Sequence, residues 1–165
     1  MVKPTSAYMK YTLLCYWRFI YGCPIIALEY SYGAADVLAV GENGMVIETE
    51  VKVSIGDLKR DIEKTKHRSF LKGSSRFCHY FYFAVPKAIA EEAKEVCNRI
   101  YPYAGLLSVG SWEPKTYERA PVFNILHAKR FPADKITTEQ LLKLARGMSN
   151  SLCSMGIKLM KNKCK

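Results

Sequence analysis

Three strand-like runs, Pro24–Tyr30, Ala35–Gly41 and Met45–Val53, follow one another with only Ser31-Tyr-Gly-Ala34 and Glu42-Asn-Gly44 between them. Connections this short join antiparallel neighbours, because a parallel pair needs a crossover of about a dozen residues or more. The chain must therefore begin its sheet as a meander. After Val53 the period changes. Ile55, Leu58 and Ile62 recur at helical spacing, and Ser54 followed by Asp57 has the form of a capping box that starts a helix at Ile55.

The remaining elements follow from the same two periods. A helix is expected from about Thr5 to Tyr21, ahead of the meander. The apolar run Cys78–Val85, ended by Pro86, reads as a central strand, and a helix opens at Lys87 with Ile89, Ala93, Val96 and Ile100 on one face. Strands are expected at Gly105–Val109 and Val122–His127. A last helix begins near Thr137, where Gln140 completes a capping box, and carries the stripe Leu141, Ala145, Met148, Leu152, Met155 and Leu159. Such a stripe reads as core or as a homodimer seam. The order αβββαβαββα predicts an α/β (α+β) fold with a mixed central sheet flanked by helices. Residues 1–165 are expected to form a single domain, with a core over about 5–128 and a C-terminal helix and basic tail over about 137–165.

Charge narrows the partners. Twenty-five Lys and Arg against fifteen Asp and Glu leave a net charge of +10, which points to a polyanion: nucleic acid first, an anionic membrane second. Residues 115–165 hold eleven basic and three acidic residues, so this stretch carries +8 of the total. The apolar run over residues 11–28 is divided by Arg18 and broken at Gly22 and Pro24, so it does not read as a membrane span. The six cysteines form no CxxC pair and sit in apolar runs, which argues against structural zinc and for small buried side chains in a reducing, cytoplasmic setting.

The chemistry concentrates in the second and third strands. Asp36 stands in an otherwise apolar strand, and Glu50 and Lys52 stand two apart in the next, where i and i+2 share a face. Carboxylates so placed call for a cation, and oxygen-only ligation suits Mg²⁺, Mn²⁺ or Ca²⁺ rather than zinc. A lysine beside them could orient or help deprotonate a water, or clamp a phosphate. The same residues also permit a plainer account: a solvated edge hairpin in which Glu50 and Lys52 form an ordinary ion pair.

Asp36, then Glu50-Val51-Lys52, in this order of elements, resembles the PD-(D/E)XK nuclease superfamily, and most of all its MmcB-like and phage-encoded branch. The run Ser54-Ile-Gly-Asp57-Leu58-Lys59-Arg60-Asp61, with Lys64-Thr-Lys66-His67 and the aromatic strand His79–Pro86, carries the likeness over roughly residues 24–110. The resemblance implies a restriction-endonuclease-like core and a Mg²⁺-dependent deoxyribonuclease acting in DNA repair, recombination or phage DNA metabolism. Asp36 and Glu50 would be metal ligands, aided by the Val51 carbonyl, and Lys52 the catalytic lysine. The alternative is a nuclease-fold DNA-binding or accessory protein with lost or latent catalysis. Two departures stand out: Ala35 replaces the proline of the family's name, and residues 1–28 contain no acid where several branches carry a Glu on the first helix.

Glu29 is a third carboxylate opposite Asp36 or a rim residue. Ser54, Lys64 and His67 are candidate additions to the site; Lys64, Lys66, His67, Arg68, Lys158, Lys161 and Lys163 are candidate phosphate contacts or solvated charge. His79 reads as structural. DNA is the expected partner, with no membrane and no nucleotide cofactor. Asp36→Asn or Glu50→Gln is expected to raise stability in metal-free buffer by relieving carboxylate repulsion. A three-residue loop Glu42-Asn43-Gly44, with Gly44 at positive φ, would set Asp36 opposite Glu50 and put Asp36, Glu50 and Lys52 on one face.

Overall fold

The computed structural model describes residues 4–30, 35–75, 77–111 and 120–163. Helix α1 spans Ser6–Cys15, capped by the Thr5 hydroxyl, which accepts from the Tyr8 amide, and runs on into a π-helical turn over Tyr16–Ile20. Strands β1 (Ile25–Tyr30), β2 (Ala35–Val40) and β3 (Val46–Val51) follow as antiparallel neighbours. Next come α2 (Ile55–Arg60), a 3₁₀ turn over Asp61–Glu63, α3 (Thr65–Leu71), β4 (Tyr80–Pro86) and α4 (Ala90–Ile100). Strands β5 (Gly105–Val109) and β6 (Val122–Leu126) and the long helix α5 (Thr138–Lys163) complete the chain. The sheet is mixed, with six strands in sequence order: β3–β4 and β4–β5 are parallel, and β5–β6 is antiparallel.

The one helix expected after β3 is two. Lys64 is extended, at φ −65° and ψ 134°, and separates the 3₁₀ turn from α3. The break falls where the Lys64 ammonium turns back onto Asp61 and Glu50, so an ionic contact takes over from helical continuity. Both capping boxes form: the Asp57 amide donates to the Ser54 hydroxyl, and Thr137 and Gln140 bond each other reciprocally.

Two apolar layers cover the sheet. On one face Leu38, Val40, Val46, Phe81, Phe83 and Val85 pack with α2, α3 and α4 and with Leu144 of α5. On the other, Val37, Ala39, Ile47, Val51, Ala84 and Leu107 pack under Met9, Leu13 and Trp17 of the first helix. The α5 stripe is set differently from expectation. Leu141, Leu144 and Met148 meet the core, Ala145 is exposed, and Leu152 and Met155 are exposed along a groove shared with Tyr11 and Leu14 of α1 and Ile26 and Leu28 of β1; the Leu159 side chain lies outside the described set.

Gly105 opens β5 where a side chain has no room. An added Cβ would strike the Tyr82 ring and come within 2.8 Å of the Ala128 amide nitrogen. Gly105→Ala is expected to cost about 1–3 kcal/mol through overpacking. Urea unfolding at unchanged midpoint would refute the tight approach.

Candidate active site

The β2–β3 hairpin closes as the sequence analysis expects. The Gly41 amide donates to the Met45 carbonyl at 2.9 Å, Gly44 has φ +77°, and Val37 faces Thr49. Residue numbers across each recorded pair sum to 86 (37 + 49, 40 + 46), which carries Asp36 to the level of Glu50. The recorded ladder stops at Val37, however. The Val51 amide, which this register would give to the Ala35 carbonyl, donates instead to Asp36 Oδ2 at 2.8 Å. Asp36 thus ends the ladder with its side chain.

That use of Asp36 overturns the expected common face. Its carboxylate lies toward the Val51 peptide, and its other oxygen meets Lys10 of α1, in the opposite layer, at 2.8 Å. Lys10 also reaches Glu29 at 3.1 Å. Glu29 has φ +53° and a side chain that is 74% exposed, so it is a rim residue tied to Asp36 through a lysine. The loop Ser31–Ala34 lies outside the described residues; the strands either side of it close with Tyr30 opposite Ala35.

Glu50 and Lys52 do meet, in the layer of α2 and α3. Glu50 is 2% exposed; its Oε2 faces Lys52 at 3.4 Å and Lys64 at 3.1 Å, and its Oε1 faces Lys66 at 2.6 Å. Two buried carboxylates complete the cluster. Glu48, two residues before Glu50 on the same face, pairs with Lys66. Asp61 pairs with Lys52 and takes Lys64 at 2.8 Å and His67 Nε2 at 2.7 Å. Three carboxylates therefore face three ammonium groups.

The electrostatics follow. Burial alone would raise the Glu50 and Asp61 carboxyls, but lysines around Glu50, and His67 with Lys52 and Lys64 around Asp61, hold both below the usual carboxylate range. For Glu48 burial wins and its carboxyl is raised, with Glu50 adding to the rise and Lys66 and a hydrogen bond from Cys78 opposing it. Lys64 is pushed up: its partial burial is outweighed by Asp61 and Glu50. Repulsion between bare carboxylates is thus not the state of this site. The expected stabilisation by Asp36→Asn or Glu50→Gln is corrected, since either change strips lysines of their partner.

His67 is corrected too. It is fully buried, with Nδ1 2.5 Å from the Tyr103 hydroxyl, and cannot lie on a phosphate backbone. Lys66 is turned inward over the Phe81 ring and onto the glutamates. Lys64 is half-exposed with its ammonium held by Glu50 and Asp61, and Arg68 is exposed. Ser54 caps α2. His79 is structural as expected: its Nδ1 accepts from the Val46 amide at 3.0 Å. The side chains of Lys158, Lys161 and Lys163 lie outside the described set.

Sequence reasoning missed Lys10, Glu48, Tyr103 and the role of Asp61. Alternation alone, Glu48-Thr-Glu50-Val-Lys52, could have flagged Glu48, because all three share a strand face. Nothing local marks Tyr103, which arrives from the start of β5.

No family model matches this chain, and no curated protein matches it. A solved structure does: the SPO1766 protein of unknown function from Silicibacter pomeroyi, 16% identical, spanning 98% of this chain and 94% of that one with a TM-score of 0.60. At that identity the likeness is one of fold, across nearly the whole length of both proteins.

Proposed function

We propose that the protein is a nuclease of PD-(D/E)XK type, hydrolysing DNA phosphodiester bonds with Mg²⁺ or Mn²⁺ in DNA repair, recombination or phage DNA metabolism, on a restriction-endonuclease-like core. One observation carries the reading: the Lys52 ammonium stands beside buried Glu50 at the end of β3, with the Asp36 carboxylate bonded to the very next peptide. By donor type the set suits a hard dication, since Asp36, Glu50 and the Val51 carbonyl offer oxygen only. To share an ion with Glu50, the Asp36 carboxylate would have to turn from the Val51 amide and Lys10. Among the described residues no three His, Cys, Asp or Glu side chains are grouped to hold a metal. When bound, the ion supplies Lewis-acid stabilisation and a water of lowered pKa.

The chain's own groups would do the rest. Lys52 donates N–H to a phosphate oxygen as negative charge develops, in a setting dry enough to make the bond strong. Lys64 and Arg68 hold flanking phosphates. Four buried free cysteines, Cys15, Cys23, Cys78 and Cys97, support a cytoplasmic setting. No helix of the described residues is long and apolar enough to cross a membrane. A homodimer, if formed, has its material in the exposed apolar residues of distal α5.

A second reading has its own observation. Every oxygen of Asp36 and Glu50 already has a lysine or amide partner, as in a DNA-binding protein of nuclease fold with latent catalysis. Incubation with single-stranded, nicked, flapped and branched DNAs plus Mg²⁺ or Mn²⁺ separates the two: metal-dependent products support the nuclease, and binding without products supports the accessory protein. Affinity should fall with salt by roughly 0.9 log units per log unit for each phosphate neutralised on duplex DNA. Removing residues 158–165 should flatten that slope, and an identical slope would mean the tail stays off the DNA.

A further inference from the structure

The ammonium of Lys52 lies nearer to Asp61 than to Glu50, whose Oε2 is 3.4 Å away and shared with Lys64. A contact of that length orients a donor weakly. Asp61 is held much more firmly. It sits on the 3₁₀ turn Asp61–Glu63, is 4% exposed, and accepts Lys52 and Lys64 on Oδ1 and His67 on Oδ2. A carboxylate only accepts, so His67 Nε2 carries a proton, and Nδ1 on the far side of the ring meets the Tyr103 hydroxyl. His67 is gripped in turn by rings: it is stacked on Phe83 and Tyr103 and set edge-on to Phe81 and Phe70. Three separate elements, the 3₁₀ turn, α3 and the lead into β5, thus determine where one carboxylate stands.

A line of this kind inside an aromatic cluster needs a reason other than stability. Apolar side chains of equal volume in such a position are often as stable as a buried ionic group, or more so. What Asp61–His67–Tyr103 delivers is a fixed position for one ammonium group.

We propose that Asp61 is the positioning residue for Lys52, with His67 and Tyr103 fixing Asp61 from behind. This rests on the reading of Lys52 as the group that meets the phosphate. One Lys52 N–H is then given firmly to Asp61 and a second weakly to Glu50, and the third is left for the phosphate.

The test uses the full chain with ¹⁵N-labelled lysine, following ammonium-proton exchange with water by NMR and assigning Lys52 with Lys52→Arg. In the wild type the Lys52 ammonium should exchange at least about tenfold more slowly than that of exposed Lys72, as a charge-assisted bond to a buried carboxylate requires. Asp61→Asn keeps the volume and one accepting oxygen, and should bring Lys52 close to Lys72. Glu139→Gln, whose carboxylate pairs with Lys143 on the exposed side of α5, should change nothing at Lys52. Wild-type Lys52 exchanging as fast as Lys72 overturns the proposal with no variant involved, and continued protection in Asp61→Asn overturns it equally.

Cleavage supplies a second arm. Asp61→Asn should lower kcat by about tenfold or more with KM for DNA unchanged, and Lys52→Ala with Asp61→Asn should lose no more than Lys52→Ala alone, since both act on one group. Additive losses would assign Asp61 a merely structural role. A wild type that cuts no DNA defeats the nuclease reading, while the exchange experiment still decides whether Asp61 holds Lys52.

Discussion

Lys52→Ala is expected to cut metal-dependent DNA cleavage by about 10²–10³-fold, the loss that follows removal of one fixed donor from a developing anion. In barrier terms this is roughly 3–4 kcal/mol. DNA binding should change far less, because Lys64 and Arg68 and the basic C-terminal stretch are untouched. Folding should survive as well: Lys52 lies at the end of β3, its backbone amide still bonds the Ala84 carbonyl, and Lys64 still pairs with both Glu50 and Asp61. Single-turnover cleavage beside a filter-binding titration checks both halves. A variant that cuts any substrate at the wild-type rate removes Lys52 from the reaction, and with it the principal support for the nuclease reading.

Asp61→Ala should be the most destabilising change in the site. It leaves Lys52, Lys64 and buried His67 without their shared acceptor, and removing one partner from a buried ionic group costs about 3–5 kcal/mol. The loss should depend on pH. Because the folded Asp61 carboxyl is held below its unfolded value of about 3.9, its contribution is complete above that pH and disappears as pH falls through the folded value. Glu50 acts in the same direction. Glu48 opposes them: its raised carboxyl contributes stability below about pH 4.3 that is lost as pH rises through the folded value. Urea unfolding from neutral to acid pH should show the wild type losing stability below about pH 4 and the Asp61→Ala variant losing less. Parallel curves would mean that Asp61 is not the group whose charge supports the fold.

The hairpin shows how far local sequence reaches. Glu42-Asn43-Gly44 defines a three-residue loop because Gly44 takes positive φ without steric cost, and that loop sets the register of β2 on β3 and the level of Asp36 and Glu50. Cap chemistry likewise places the starts of α2 and α5, since the capping side chain and its amide lie within three residues of each other. The break at Lys64 was not visible in the same way. There Lys64 meets Asp61, three residues before it, and also Glu50 of β3, and a helical period gives no sign of the Glu50 contact.

Strand alternation, turn residues and caps determine the meander, the mixed sheet, the level of the Asp36–Glu50 pair and the presence of Lys52 beside Glu50, because each depends on neighbours only a few residues away. Tertiary structure decided where the charges go. Lys10 comes across from α1 to claim Asp36, the turn after α2 brings Asp61 to Lys52, and Tyr103 reaches His67 from the start of β5. Burial makes these pairings matter: a charge taken out of water must find an opposite charge or a hydrogen bond wherever the fold supplies one, and sequence distance does not enter that choice.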